Sequence, residues 1–303
     1  MVLETGRVVA SFGRTVQVED ERGQLIDCGI FGRRLEIVCA DRVRFERTGR
    51  DVRGIVHELL PRRSIISRCN SRGQSEPVAA NATQIVAVLA HPPLPDFFLV
   101  DRYLAAAEAA HLPAIIVLNK VDLTSDRGEA CRAELLGWRR IGYSTAEISA
   151  REGIGLDELA RMLQGHTSLI VGQSGVGKSS ILNALVPQAS AVTRAIVTKT
   201  GKGSHTTART ALHKLPGGGE LLDSPGVRDF APGPDLLATA ADGFREIATA
   251  APDCRFADCR HGDEPDCAVR RAVHSGAVAE RRYRSYLQLR DLMERLTRRR
   301  RGY

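Results

Sequence analysis

Gly172-Gln173-Ser174-Gly175-Val176-Gly177-Lys178-Ser179 decides how this chain is read. The stretch matches G-x-x-x-x-G-K-S. The apolar run Leu169-Ile170-Val171 leads into it, and a helix-forming stretch from Lys178 to Val186 leads out. Strand, glycine loop and helix in that order make a phosphate cradle. The glycines let backbone N–H groups converge on phosphate oxygens, and the helix N-terminus attracts negative charge. Lys178 reaches the β- and γ-phosphates and is a catalytic candidate, while the Ser179 hydroxyl is a candidate magnesium ligand. Ser180 follows inside the same first helical turn and joins the candidate nucleotide contacts. Only five residues are Lys (120, 178, 199, 202 and 214), so the Lys of the motif does not reflect a Lys-rich composition.

Working outward, strands that are apolar throughout alternate with helical stretches. Gln84–Ala90 and Pro113–Asn119 read as buried strands, and Phe97–His111 and Arg127–Gly137 as helices. That alternation predicts a parallel sheet covered on both faces. Asn119-Lys120-Val121-Asp122 ends the second strand and matches N-K-x-D, the guanine-reading motif of GTPases. A carboxylate at Asp122 accepts hydrogen bonds from guanine N1–H and the 2-amino group. Adenine offers neither donor, so it would leave the carboxylate unpaired. Ser149-Ala150, after Ala146-Glu147-Ile148, is a candidate second base-contacting loop. Asp223-Ser224-Pro225-Gly226 matches D-x-x-G, with Asp223 near magnesium and the Gly226 N–H near the γ-phosphate. Between these lies Lys199–Thr207, in which Thr206 or Thr207 completes the magnesium shell.

The order of these motifs is unusual. Base motif, base loop, phosphate loop, Thr loop and D-x-x-G follow one another, so Asp122 precedes Gly172. In ordinary GTPases the phosphate loop comes first, so this order is a circular permutation of one sheet. The D-x-x-G segment therefore runs directly into the C-terminal region. Val227 occupies the place where many GTPases carry a water-orienting Gln, so free turnover is expected to be slow. His205 is the nearest candidate to assist hydrolysis.

Residues 1–63 read as a small barrel of OB type. Its five short strands are Gly6–Ala10, Thr15–Glu19, Leu35–Val38, Asp41–Phe45 and Gly54–Glu58. Residues 64–235 form the permuted α/β domain, and 236–303 a mainly helical domain with a basic tail. Within the last part, Cys254, Cys259, His261 and Cys267 offer three thiolates and one imidazole. Such a set predicts a closed, structural zinc site, with His274 an alternative ligand. Tyr286, Leu289 and Met293 give the tail segment an apolar stripe at helical spacing.

Composition narrows the function classes. At 43% hydrophobic and 26% charged residues the chain is neither disordered nor fibrous. No apolar run approaches the roughly 18 residues of a membrane span, and no signal pattern precedes Glu4 and Arg7, so a cytoplasmic protein is expected. An odd count of seven Cys argues against a disulfide framework. The +7 charge favours a polyanionic partner, with Arg298-Arg299-Arg300-Arg301 as a foothold.

A barrel, a permuted GTPase and a Cys₃His domain, marked by Asn119–Asp122, Gly172–Ser179, Gly203-Ser204-His205-Thr206-Thr207, Asp223–Gly226 and the four metal-ligand residues, together resemble the family of ribosome small-subunit-dependent GTPase A. The chain keeps the family's G-x-H-T-T and has Asp-Ser-Pro-Gly where Asp-Thr-Pro-Gly is commoner. The resemblance covers essentially the whole chain. It implies a late assembly factor of the small ribosomal subunit that binds rRNA near the decoding region and hydrolyses GTP to leave. Expected cofactors are one structural zinc and magnesium with GTP or GDP, and a monomer is expected. The competing reading is a GTP-dependent switch acting on a protein effector. A nucleotide-dependent enzyme acting on a small molecule lacks any further acid–base pair or cofactor loop.

Overall fold

A computed structural model describes residues 2–32, 35–48, 53–70, 73–186, 210–223 and 240–300. β1 (Glu4–Ser11), β2 (Thr15–Asp20), β3 (Leu25–Ile30), β4 (Arg42–Arg47) and β5 (Arg53–Leu59) form an OB-type barrel. Its order is β1-β2-β3-β5-β4, and β4 returns to pair with β1. All pairings are antiparallel except β3 with β5. Alternate residues point inward, so Val8, Val18, Ile26, Cys28, Phe45 and Val56 fill the interior.

One expected barrel strand is wrong. Leu35–Val38 is irregular, tied by Val38 N to Asp41 Oδ2 (2.8 Å) and by Arg62 to Glu36 O (2.6 Å). The third strand is instead Leu25–Ile30. Asp27 and Gly29, poor strand formers, hide an alternation in which only Ile26 and Cys28 face the core. A hairpin of β6 (Ile65–Cys69) and β7 (Ser75–Ala80), unforeseen in the sequence, follows the barrel.

The second sheet contains β8 (Gln84–Ala90), β9 (Ala114–Asn119), β10 (Ser144–Glu147), β11 (Thr167–Gly172), β12 (Thr210–Lys214) and β13 (Glu220–Asp223). Its order is β10-β9-β8-β11-β13-β12, parallel apart from β12. β12 also pairs with β1 through Ala10–Ala211 and Ser11–Thr210, which joins barrel and sheet into one ladder of 11 strands.

The apolar strands feed two cores by turns. Ile85, Ala87 and Leu89 pack under α1 (Phe97–Ala109) and α2 (Asp126–Arg140), whereas Val86 and Val88 pack under α3 (Leu156–Leu163) and α4 (Lys178–Leu185). This two-sided burial is why these strands carry no polar alternation.

Beyond residue 240 come α5 (Arg245–Ala250), α6 (Ala268–His274) and α7 (Glu280–Arg300). Tyr286, Leu289 and Met293 of α7 are buried in their common core. No helix among the described residues is long and apolar enough to cross a membrane.

Candidate nucleotide site and metal centre

The sequence motifs gather where they must for a ligand of an open parallel sheet, beyond the carboxyl ends of its strands. β11 ends at Gly172 and β9 at Asn119, two strands apart with β8 between them. The loop from Gly172 to Gly177 uses left-handed backbone at Gly175 (φ 84°) and Gly177 (φ 96°). A Cβ on Gly177 would lie 2.3 Å from Asn119 Nδ2, and one on Gly172 would lie 2.4 Å from Val88 O. Val176 is buried in the core beneath the loop, so only its backbone is on offer to a phosphate. Ser174, Ser179 and Ser180 are exposed. Lys178 opens α4, and its ammonium donates to Gly172 O (2.7 Å) and Gln173 O (2.9 Å), which holds it over the loop. Gly177→Ala adds left-handed strain of about 1–2 kcal/mol and displaces Asn119. The expected result is GDP affinity roughly tenfold weaker by calorimetry, with cooperative melting retained.

Asn119 is the hub of the site. Its buried amide donates from Nδ2 to Val176 O (2.9 Å) and accepts at Oδ1 from Ala150 N (3.1 Å). One side chain thus binds the base motif, the phosphate loop and the Ser149-Ala150 loop to each other. Ser149 is buried; its N–H donates to Ile154 O (3.0 Å) and its hydroxyl accepts from Glu152 N (3.1 Å). Val121 N donates to Ile148 O (3.2 Å), joining the two base-side segments again. Lys120 has φ 66°, and its ammonium donates to Gly175 O (2.8 Å) and Pro92 O (2.7 Å). Asp122 is half-buried and makes no hydrogen bond or ion pair with the described residues, so both carboxylate oxygens are available as acceptors.

The segment His91–Pro93 escaped the sequence reading. It leaves the end of β8, carries the Pro92 carbonyl that Lys120 grips, and its Pro93 ring lies next to Gly175. The signal was available: a proline pair directly after a buried strand, at the end where ligands bind.

Asp223 ends β13 beside β11, in register with Ile170. Burial raises its carboxyl above the ordinary range, and electrostatic interaction with His213 and Lys178 offsets part of that rise. An Asp carboxylate at one strand end and a Ser179 hydroxyl after the next are hard oxygen donors. Together they suit magnesium. His205, Thr206, Thr207, Gly226 and Val227 lie outside the described residues.

The four predicted metal ligands do converge. Cys254 Sγ is 3.5 Å from His261 Nδ1 and 3.9 Å from Cys267 Sγ, and Cys267 Sγ is 3.7 Å from His261 Nδ1. All four ligand atoms, Cys259 Sγ included, fall within 4.8 Å of each other. A tetrahedron with zinc–sulfur distances of about 2.3 Å has edges of about 3.5–3.8 Å, so the group fits zinc. Burial pushes the Cys259 thiol up to about 12. Burial opposes ionisation of Cys254 as well, but backbone N–H groups of Val269 and Ala268 hold that thiol below its ordinary value. Burial also lowers His261, keeping the imidazole neutral as a ligand must be. His274 is exposed and outside the group. α7 presents the ligand loop: Tyr283 donates to His261 O (2.6 Å), and Tyr286 (3.0 Å) and Arg290 (2.8 Å) donate to Arg260 O.

The RsgA GTPase family model matches residues 59–232. Small ribosomal subunit biogenesis GTPase RsgA of Azotobacter vinelandii is 44% identical over 288 residues, covering 93% of this chain and 84% of that protein. The protein of the same name from Pseudomonas aeruginosa is 43% identical over 284 residues, with the same coverage of 93% and 84%. Among solved structures, YjeQ from Thermotoga maritima is similar with a TM-score of 0.72 at 30% identity, covering 98% of this chain and 99% of that one. YloQ, described as a circularly permuted GTPase, gives 0.70 at 25% identity, covering 98% and 96%.

Proposed function

The chain belongs to the RsgA GTPase family of hydrolases acting on GTP, and on that premise we propose that it hydrolyses GTP to GDP and phosphate as a late assembly factor of the small ribosomal subunit, which stimulates it. The observation that carries this reading is the Asn119 cross-link, because it locks phosphate loop and base-reading segments into one site. Relatives named for small-subunit biogenesis across 93% of the chain support the ribosomal part. The working parts are the barrel (1–63), the GTPase domain (64–235) and the zinc domain (236–303), acting as a monomer in the cytoplasm.

In this reading Asp122 selects guanine, with the Ser149-Ala150 loop, held by Asn119, beside its 6-oxygen. Loop N–H groups from Gly172 to Lys178 and the Lys178 ammonium hold the phosphates. Ser179, Asp223 and either Thr206 or Thr207 would hold magnesium, which would supply charge neutralisation at the β- and γ-phosphates. Gly226 N–H meets the γ-phosphate. Val227 cannot orient water, and His205 takes that role in the subunit-stimulated reaction. Cys254, Cys259, His261 and Cys267 hold zinc purely to shape the C-terminal domain. The basic surplus, with Arg298–Arg300 closing α7, meets rRNA phosphates.

A multiple-turnover phosphate-release assay tests this. Small subunits are expected to accelerate hydrolysis roughly tenfold or more, and large subunits much less. Stimulation is expected to fall as salt rises, since phosphate contacts release counterions. His205→Ala is expected to lower the stimulated rate while leaving GTP binding nearly unchanged. A basal rate with small subunits in low salt would overturn the ribosomal mechanism and favour the protein-effector switch.

A further inference from the structure

The zinc-bearing region meets the GTPase sheet through a buried ion network centred on Asp101 of α1. Asp101 accepts from Trp138 Nε1 of α2 (3.0 Å), Arg282 Nη1 (2.7 Å) and Arg281 Nη1 (2.5 Å). Burial pushes its carboxyl up, but the two guanidiniums override that and hold it below the ordinary range. Arg282 continues to both oxygens of Glu246 on α5 (2.6 and 3.1 Å).

Arg281 makes a different connection. Besides Asp101 on α1 it holds Glu134 on α2 (Nε to Oε2, 2.7 Å). Its guanidinium lies 5.6 Å from the ring of Phe97, the first residue of α1, and 5.2 Å from that of Trp138. One side chain of α7 thus clamps α1 to α2.

Both clamped helices start at the nucleotide site. α1 is capped by Asp96, just after His91–Pro93, and Pro92 O takes the Lys120 ammonium. α2 is capped by Ser125, three residues after Asp122, and Ser125 Oγ lies 3.0 Å from His91 Nδ1. The two helix starts are therefore joined to each other and, through Lys120, to Gly175 of the phosphate loop.

We propose that Arg281 is a positioning residue for the bound nucleotide. By holding α1 and α2 together it sets how readily the Pro92 loop and the Asn119–Asp122 segment part to release GDP. A partner that shifts α7 then changes nucleotide release without touching the nucleotide. The inference rests on the guanine-nucleotide reading of the site.

Arg245 supplies the control. It joins the same two regions at the other end of α1, donating to Glu108 Oε1 (2.8 Å) and Gly142 O (2.8 Å), with its guanidinium 4.0 Å from the Tyr143 ring centroid. It loosens the interface far from the nucleotide.

The test is release of fluorescently labelled GDP from the full zinc-loaded chain by stopped flow, with melting temperature measured alongside. Arg281→Gln is expected to release GDP roughly five- to tenfold faster. Glu134→Gln, which removes the clamp's hold on α2 alone, is expected to shift the rate in the same direction by less. Arg245→Gln is expected to lower the melting temperature comparably and keep the wild-type rate. Wild-type release rates from Arg281→Gln and Glu134→Gln overturn the inference, as does equal acceleration by Arg245→Gln, which would mean general softening. Should Arg281→Gln fail to fold, Glu134→Gln decides. Failure of the wild type to bind labelled GDP would instead sink the nucleotide assignment itself, and is seen before any variant is made.

Discussion

Asp122→Asn is expected to abolish the preference for guanine nucleotides and to create one for xanthine nucleotides. Two charge-assisted hydrogen bonds, each about 1.5–3 kcal/mol, disappear with the carboxylate, so GTP and GDP affinity is expected to fall about a thousandfold. Against xanthine the Asn amide donates to the 2-oxo group and accepts from N1–H, so both bonds re-form without the charge. The fold is expected to survive, because Asp122 is only half-buried and makes no bond with the described residues. Isothermal calorimetry with GDP, XDP and ADP reads the outcome. Equal ATP and GTP binding by the wild type would remove the guanine assignment altogether.

Loss of the metal is expected to have the other large effect, confined to the C-terminal region. Purified protein is expected to carry about one zinc per chain by elemental analysis. Cys267→Ser takes a ligand from a group whose edges match a zinc tetrahedron. Structural zinc contributes several kcal/mol or more to folding, so the melting transition of this region is expected to drop by more than about 10 °C. Limited proteolysis is expected to cut between the ligands, while the sheet with Asn119 and Lys178 still binds nucleotide. A chain without stoichiometric metal, or a variant with an unchanged transition, would remove the structural-zinc assignment.

The amino-acid sequence by itself determined the chemistry of each motif, because each is a short run whose function depends on neighbours in the chain. Gly172–Ser179 must be contiguous for its N–H groups to converge. Asn119–Asp122 must sit together to read one base, and Cys254–Cys267 supplies its ligands within one loop. The two-core sheet was also legible, since burial on both faces removes polar alternation from β8 and β9. β3 was not, because Asp27 and Gly29 broke the pattern that marks a half-buried strand. Tertiary structure alone decided which motifs share a site and what holds them. The amide of Asn119 reaches Val176 O and Ala150 N, 57 and 31 residues away in the chain, a cross-link that the N-K-x-D motif does not announce. No motif marks Arg281, and only folding places it against Asp101, 180 residues earlier. Local motifs carry their own geometry, whereas hydrogen bonds and ion pairs between distant segments depend on a packing that no short window of residues encodes.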